Sequence, residues 1–550
     1  MITEPSADAG EVRTALVRLR DRLAESSFAL DTPGAEPARR AGRAIVQQID
    51  DYVLPRLDRP DAPLLVVVGG PTGAGKSTLV NTLAGRMVTP AGVLRPTTRT
   101  PVLICAGRDE QWFVDAHVLP GLGRSTHAVA SNDGLLHIAR CDTLPPGLAI
   151  VDAPDIDSVV RSNRELASRL LAAADLWLFV TTAERYADAA PWDFLRDARS
   201  RGAAVAVALD RVPAGSEQEA TRHFARLLDA NGLGDAPFFV IDETPLQGGL
   251  LPGEKAAPLR SWLVQLGSDP DARRRLVEQT LDGTVAGLGA RLAPLTREAG
   301  RQQKADATLR GGVTRTFAQA TEGFDAAVAG GALLTGDVLT RWRDFVGTGD
   351  IARALDAGSS DCADALSGAL RDAVCQLVLA TVDQVRVQIA DRWAHHPAGR
   401  SLLDRWPYPE TPSADLPERA VERLEAWRHE VVQLVDERLK ASVLRHGASL
   451  PAPEVIGLIL MIVAVTPSGD APAQARGETR AARALLETVL GVDTARQLVA
   501  EVRRDLQREV YVLLDAEAER YTGALDEAAV PGDSVDLLRE VRFGLDAARS

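Results

Sequence analysis

The sequence predicts an α/β domain with a mostly parallel sheet, joined to an extended all-α helical bundle. Between residues 62 and 265, short apolar runs typical of buried strands alternate with helical segments, which is the order expected of a parallel sheet. From about residue 268 onward the strand-like runs disappear, and apolar residues recur at spacings of three and four, as on the faces of bundled helices. A chain of 550 residues is too long for one hydrophobic core, so several domains are expected.

The composition is that of a globular protein, with 45% hydrophobic and 25% charged residues. The formal net charge of −14 excludes nucleic acid as an expected partner, because a phosphate backbone requires clustered positive charge. The four cysteines include no C-x-x-C pair, so neither a disulfide framework nor a zinc site is indicated. The N-terminus lacks a signal sequence, and no apolar run approaches the roughly 18–20 residues of a membrane-spanning helix. We therefore expect a cytoplasmic protein.

Residues 1–61 are expected to form two helices that pack against the helical C-terminal half. The first helix has an apolar stripe from Val12 to Leu23, and the second has one from Ile45 to Val53. Residues 31–34, which read D-T-P-G, interrupt the helical pattern between them. A free-standing helical hairpin is the alternative.

A phosphate-binding loop follows the first apolar strand of the α/β domain. Residues 70–77 fit the pattern G-x-x-x-x-G-K-S and lie between the apolar run 64–68 and an amphipathic helix. Glycines let backbone N–H groups surround a phosphate, and the N-terminus of the following helix favours negative charge. In this pattern Lys76 reaches the β- and γ-phosphates, and the Ser77 hydroxyl binds Mg²⁺. The candidate nucleotide-binding residues of this P-loop are Gly70, Pro71, Thr72, Gly73, Ala74, Gly75, Lys76, Ser77 and Thr78.

The order of motifs after the P-loop resembles that of the translation-factor-class GTPases, and among them the bacterial dynamin-like GTPases. Residues 98–101 read T-R-T-P and are similar to the first switch of that family, in which the threonine closes over Mg²⁺ and the γ-phosphate. Asp152 ends the apolar run 148–151 and matches the first residue of the family's D-x-x-G motif. The resemblance implies that Lys76, Thr98 and Asp152 support hydrolysis, and that Ser77, Thr98 and Asp152 surround Mg²⁺.

Two positions depart from the family's motifs. Asp155, a further candidate nucleotide-binding residue, replaces the glycine of D-x-x-G. Its backbone N–H can still bind the γ-phosphate, but its carboxylate beside that phosphate would repel it. Where the family has N/T-K-x-D, residues 210–213 read D-R-V-P, and Pro213 cannot bind the guanine edge. Asp210 and Arg211 are the remaining candidates for a contact with the base, and a solvated strand-end carboxylate is the alternative for Asp210. The resemblance implies GTP as the nucleotide, with ATP as the alternative.

One segment of the helical half, residues 455–465, is apolar throughout and is bracketed by prolines. The run is too short to span a bilayer, and an apolar helix without a polar face is either buried or inserted into lipid. We expect residues 266–550 to form a stalk whose segment 450–475 contacts an anionic membrane surface through residues 455–465, since its flanks are basic. A buried central helix is the alternative for the segment, and a compact helical domain is the alternative for the stalk.

The resemblance implies a Mg²⁺-dependent dynamin-like GTPase domain at residues 62–265. Such a protein would couple its nucleotide state to membrane-associated assembly, at the inner face of the cell membrane, as a homo-oligomer or with a paralogous GTPase. Two other functions are compatible with the residues. One is a nucleotide-binding scaffold that hydrolyses poorly and is the partner of an active paralogue, which Asp155 and Pro213 would suit. The other is a soluble P-loop ATPase.

Overall fold

The computed structural model describes residues 7–89, 100–126, 134–158, 160–187, 189–200, 202–347, 361–406, 411–446, 452–466 and 476–547. The chain divides into two compact units, of which the first contains residues 1–27, 36–300 and 530–550 and the second contains residues 28–35 and 301–529. This division differs from the predicted boundaries of 1–61, 62–265 and 266–550. The sheet-containing unit includes helices from both ends of the chain.

Eight strands form a single sheet in the first unit. They are β1 (Leu64–Gly69), β2 (Val102–Cys105), β3 (Gly123–Ser125), β4 (Leu135–Arg140), β5 (Leu148–Asp152), β6 (Leu176–Thr182), β7 (Ala204–Val212) and β8 (Phe238–Asp242). Their order is β3-β4-β2-β5-β1-β6-β7-β8, and among these described strands the β2–β5 pair is antiparallel whereas the other neighbours are parallel. The predicted mostly parallel sheet is therefore confirmed. Strand β1 lies in its interior and is buried along its whole length.

The helices of the first unit surround this sheet and include both chain ends. They are α1 (Ala7–Glu25), α2 (Ala35–Gln48), α3 (Leu54–Asp58), α4 (Lys76–Ala84), α5 (Glu110–Val114), α6 (Arg161–Ala172), α7 (Ala189–Ser200), α8 (Glu217–Ala230), α9 (Gly253–Ser268) and α18 (Ser534–Ala547). A π-helical turn, Ile49–Val53, joins α2 to α3. Apolar residues of α4 and α9 pack on the sheet in one core. Helix α1 packs against α18, with Arg22 and Asp533 forming an ion pair at 2.6 Å.

A buried ion pair joins α3 to the sheet. The Arg56 guanidinium contacts the Asp175 carboxylate, and it also donates to the carbonyl oxygens of Ala62 at 3.0 Å and Pro63 at 2.8 Å. The backbone N–H of Leu65, in β1, donates to the same carboxylate at 2.7 Å. Asp175 is fully buried just before β6, so a residue that precedes the predicted domain boundary pairs with a buried charge of the sheet.

The second unit is helical in its described residues. Helix α10 (Pro270–Ala329) begins in the first unit and ends in the second. The others are α11 (Gly336–Gly347), α12 (Asp361–Ala394), α13 (Pro397–Arg405), α14 (Leu416–His446), α15 (Pro453–Ala464), α16 (Arg476–Leu490) and α17 (Val492–Ala528). Their apolar stripes meet in a single core, as the spacing of three and four predicts.

Helix α15 is buried on all sides. Its apolar side chains from Val455 to Val465 are at most 3% exposed and pack against α12, α14, α16 and α17. The Arg503 guanidinium donates to the carbonyl oxygens of Ala464 at 2.6 Å and Thr466 at 2.7 Å, which satisfies acceptors at the end of the helix. The prediction that residues 455–465 contact lipid is therefore wrong, and the alternative of a buried central helix is confirmed.

Helix α12 is long and apolar enough to cross a membrane by length and composition alone, and it is the single such helix among the residues described. This finding corrects the expectation that the chain has no segment long and apolar enough to span a membrane. Its buried residues follow one stripe, from Leu366 through Val378 to Trp393. Helix α12 packs against α11, α13 and α14, so its apolar face belongs to the core of the second unit.

Candidate functional site

The P-loop lies at the carboxyl end of β1, between β5 and β6, where open α/β sheets bind their ligands. Two glycines are required by close approaches. A Cβ at Gly70 would overlap the carbonyl oxygen of Val180, and a Cβ at Gly75 would overlap the Asp210 carboxylate. Gly75 also has a φ of +91°, which disfavours any side chain. Helix α4 begins directly after it, so its free N–H groups face the loop.

Lys76 is the first residue of α4, and its side chain is buried within the loop. Its Nζ donates to the carbonyl oxygens of Gly70 at 2.9 Å and Pro71 at 3.0 Å. It also forms an ion pair with Asp155 Oδ1 at 2.5 Å, with the two side chains 4% and 11% exposed. The carboxylate that replaces the glycine of the family motif is therefore bound to the P-loop lysine.

Ser77 and Asp152 are brought together as the motifs predict. The Ser77 hydroxyl donates to Asp152 Oδ2 at 2.7 Å, and the Thr89 hydroxyl donates to the same oxygen at 2.8 Å. Burial raises the pKa of Asp152, and the two hydroxyl hydrogen bonds oppose that shift. Its other oxygen, Oδ1, is buried and has no hydrogen-bond partner among the described residues.

These residues fit a Mg²⁺ ion. An unpaired buried carboxylate oxygen beside a hydroxyl is the donor set that Mg²⁺ takes from a protein when phosphates and water supply the rest. Within the described parts of the chain no group of three or more His, Cys, Asp or Glu side chains could hold a metal. A shared protein–phosphate site therefore suits this loop better than a cage of protein ligands. Thr98, the third predicted ligand, lies outside the described residues.

Thr89 was not among the predicted site residues. Asn81 of α4 holds it in place, since the Asn81 side chain donates to the Thr89 carbonyl oxygen at 2.9 Å and accepts from its N–H at 3.0 Å. No signal in the sequence pointed to Thr89, because its place depends on these contacts with Asn81. Because Thr89 carries a hydroxyl at the Asp152 carboxylate, it belongs to the candidate site.

Asp157 and Arg185 were likewise not among the predicted site residues, although Arg185 follows a predicted strand and a position near the nucleotide was weighed for it against a surface ion pair. Both residues contact the P-loop residue Thr72. Asp157 Oδ1 accepts from the Thr72 N–H at 2.6 Å and from the Thr72 hydroxyl at 2.7 Å. Arg185 donates to the Thr72 carbonyl oxygen at 2.8 Å and to Asp157 Oδ2 at 3.0 Å. Burial raises the pKa of Asp157, but the hydrogen bonds from Thr72 and Arg185 outweigh it and lower the pKa overall. The three residues couple the loop to the segment that carries Asp155.

Asp210 is buried, in contrast to the solvated carboxylate that was the alternative. It is 5% exposed, contacts the P-loop at Gly75, and accepts from the Arg211 N–H at 2.9 Å. Burial raises the pKa of Asp210 to about 6. Arg211 is exposed and has a φ of 56°, at a bulge in the β7–β8 pairing. A second acid near the predicted base site, Asp242, is bound to Lys255 at 2.6 Å.

Comparisons with known proteins agree with the motifs. Residues 66–127 match the family model described as the Dynamin family. A probable transmembrane GTPase, FZO-like, chloroplastic, of Arabidopsis thaliana is 28% identical over 140 residues, which are 26% of this chain. The chain covers only 14% of the length of that relative.

Solved structures are similar at low identity. The GTPase Era, bound to MgGDPNP and a segment of 16S ribosomal RNA, matches with a TM-score of 0.25 and 18% identity, over 36% of this chain and 55% of that one. An oligomerised bacterial dynamin pair involved in membrane sensing and tethering matches with a TM-score of 0.36 and 10% identity, over 100% of this chain and 96% of that one. The resemblance to the dynamin family that the motifs indicated is thus confirmed by the family model over residues 66–127.

Proposed function

We propose that this chain is a dynamin-like GTPase that binds GTP with Mg²⁺ and hydrolyses it, with ATP as the alternative nucleotide. The observation that carries the proposal is the 2.7 Å hydrogen bond between Ser77 and Asp152, at the mouth of the P-loop. It joins the hydroxyl and the carboxylate that a Mg²⁺-dependent site of this class requires. The match to the dynamin family over residues 66–127 supports the guanine nucleotide.

Each residue has a distinct role in the proposed reaction. The N–H groups of the loop and of the first turn of α4 bind the phosphates, and Lys76 binds the terminal ones. Ser77 and Asp152 would hold Mg²⁺, which would supply positive charge to neutralise the phosphates. Thr98 closes over the γ-phosphate and orients the attacking water, as the family resemblance implies. Thr89 keeps the Asp152 carboxylate in place through its hydroxyl.

Asp155 favours a second candidate function, the scaffold that binds a nucleotide and hydrolyses it poorly. Lys76 donates to Gly70, Pro71 and Asp155, and the γ-phosphate competes most directly with Asp155, the one anionic acceptor of the three, at 2.5 Å. The displaced carboxylate then remains near the γ-phosphate, where like charges repel. A chain with this residue would hold a diphosphate more readily than a triphosphate, which suits a partner of an active paralogue.

We further propose that the nucleotide state controls membrane-associated assembly at the cytoplasmic face of a membrane, with a second copy or a paralogous GTPase as partner. The dynamin-family match and the description of the Arabidopsis relative as a transmembrane GTPase support this proposal. Residues 455–465 have no part in it, because they are buried.

The test is nucleotide binding and turnover with GTP and ATP side by side, with and without anionic liposomes. We expect Mg²⁺-dependent GTP binding that Lys76→Ala abolishes and that Lys440→Ala, an exposed lysine of α14, leaves unchanged. Because Pro213 cannot bind guanine, we expect a preference for GTP far below the ~10⁴-fold of sites that bond the base directly. Nucleotide binding without hydrolysis in every condition would favour the nucleotide-binding scaffold over the GTPase. Unchanged binding by a folded Lys76→Ala chain would contradict both candidates.

A further inference from the structure

A cavity in the first unit, separate from the P-loop, is lined by arginines. It has a volume of about 850 Å³, lies between α2 and α6, and shares no lining residue with the P-loop. Five arginines surround it, together with the ring of Phe194 from α7: Arg40, Arg43, Arg161, Arg164 and Arg169. We call it the arginine cavity.

The arginine cavity has a surplus of positive charge within a chain of net charge −14. Among the lining residues five arginines face two acids, Asp51 and Glu165, so the lining alone carries three surplus positive charges. Asp51 is bound to Arg169 at 2.5 Å and Glu165 to Arg161 at 2.7 Å. Many arginines elsewhere in the chain form ion pairs with acidic side chains. In the arginine cavity the surplus positive charge can instead be neutralised by an anionic ligand.

The three remaining arginines are the ones available to a ligand. Arg40 has a long contact of 3.6 Å with Glu36, which also pairs with Arg39. Arg43 forms no ion pair with any described residue. Arg164 likewise has no acidic partner within the described ranges, and it donates to the carbonyl oxygen of Ser158 at 2.5 Å. Arg40, Arg43 and Arg164 are all exposed to solvent, so a ligand can reach them without unfolding the helices.

We propose that the arginine cavity binds a small phosphorylated molecule with at least two anionic groups. Guanidinium groups bind phosphate oxygens in pairs, and several of them on two helices would bind separate phosphates of one ligand. The volume lies in the range of sites for small molecules, about 300–1,000 Å³. The Phe194 ring supplies an aromatic surface for the non-phosphate part of the ligand.

The test uses the full chain and inorganic tripolyphosphate as the probe, by isothermal titration at physiological ionic strength without Mg²⁺. We expect Arg40→Ala/Arg43→Ala to weaken binding at least tenfold. The control is Arg222→Ala/Arg226→Ala, which removes the same charge from the exposed face of α8 in the same unit and should change the affinity less than twofold. Circular dichroism checks that each variant is folded, and Arg43→Gln alone repeats the test with a smaller change.

The proposal does not rest on the proposed nucleotide function. A third variant, Lys76→Ala, distinguishes binding in the arginine cavity from binding at the P-loop. If Lys76→Ala abolishes tripolyphosphate binding while the Arg40/Arg43 pair has no effect, the probe binds the P-loop and the inference is overturned. If the Arg40/Arg43 and Arg222/Arg226 double variants lose tripolyphosphate affinity equally, the binding is nonspecific electrostatic attraction, and the inference is overturned as well. Binding to phosphatidylglycerol vesicles without any binding of tripolyphosphate would replace the small molecule with a membrane surface and contradict the proposal.

Discussion

At the scale of single residues, Asp155 determines what the P-loop lysine can bind. Its carboxylate lies 2.5 Å from the Lys76 ammonium, and both side chains are largely shielded from water. A charge pair in such surroundings is stronger than one at the surface. The anionic γ-phosphate must therefore compete with an internal anion for the same ammonium.

We predict that Asp155→Asn raises the affinity for a nucleoside triphosphate about tenfold, which corresponds to roughly 1.4 kcal/mol. The amide keeps the size of the side chain but removes its charge, so Lys76 is released and the repulsion of the γ-phosphate disappears. The measurement is a titration with a fluorescent GTP analogue. Asp235→Asn, an exposed carboxyl in the same unit, should leave the affinity unchanged. Weaker binding by Asp155→Asn would mean that the carboxylate itself contacts the nucleotide or its metal.

Asp210 makes stability depend on pH. Burial raises its pKa from 3.8 to about 6, so between these values the folded chain binds a proton that the unfolded chain has released. Stability therefore falls as the pH rises from about 4 to 6, and the loss persists at higher pH. We predict that Asp210→Asn stabilises the chain by about 3 kcal/mol at pH 8 and not at pH 4. Urea unfolding of both proteins at the two pH values measures this, and an equal effect at both would exclude ionisation as the cause.

At the scale of elements, helix α15 owes its position to its neighbours. Leu460 is fully buried and is surrounded by four other helices. We predict that Leu460→Glu destabilises the second unit by more than about 4 kcal/mol, because the charge is buried without a partner. Urea unfolding followed by circular dichroism is the measurement. Val387→Glu on α12, which is 52% exposed, is the control and should change stability by less than about 0.5 kcal/mol. A stable Leu460→Glu chain would contradict the buried position.

The same helix marks a limit of prediction from sequence. A continuously apolar helix suits a protein interior and a lipid leaflet equally well, so only its packing partners decide between them. The short apolar runs between residues 62 and 265 that became strands had no such ambiguity, because they alternated with helical segments as in a parallel sheet. Strands β3 and β4 were not predicted. Strand β3, at the sheet edge, has only three residues, and β4 beside it is partly exposed and mixed in composition.

The candidate site likewise contains residues that the sequence predicts and residues that it does not. The P-loop and Asp152 were predictable because each occupies a fixed position relative to a strand end. Thr89, Asp157 and Arg185 reach the site from three different segments, and a spacing rule within one motif cannot find them. Their contacts depend on how the segments that follow β1, β5 and β6 meet at the carboxyl ends of these strands.

At the scale of the whole molecule, the sheet-containing unit is assembled from three separate parts of the chain. Its central sheet receives polar contacts from residues before position 62. Arg56 and Asp175 are both buried, and burial raises the pKa of Asp175, which the Arg56 charge opposes. An α/β domain cut at its first strand would therefore keep a buried carboxyl and lose the guanidinium that pairs with it.

We predict that a fragment of residues 62–265 is less stable than a fragment of residues 36–300 by at least about 3–5 kcal/mol, the usual effect of breaking a buried ion pair by removing one partner. Urea unfolding of the two fragments measures the difference. Arg56→Met in the longer fragment should reproduce most of the loss, because it removes the charge that faces Asp175 and leaves the helices in place. Arg226→Met on the exposed surface of α8 is the matched control and should have little effect. If the short fragment is as stable as the long one, the residues before the P-loop strand are dispensable for the sheet, and the predicted boundary at residue 62 is the correct limit of the domain.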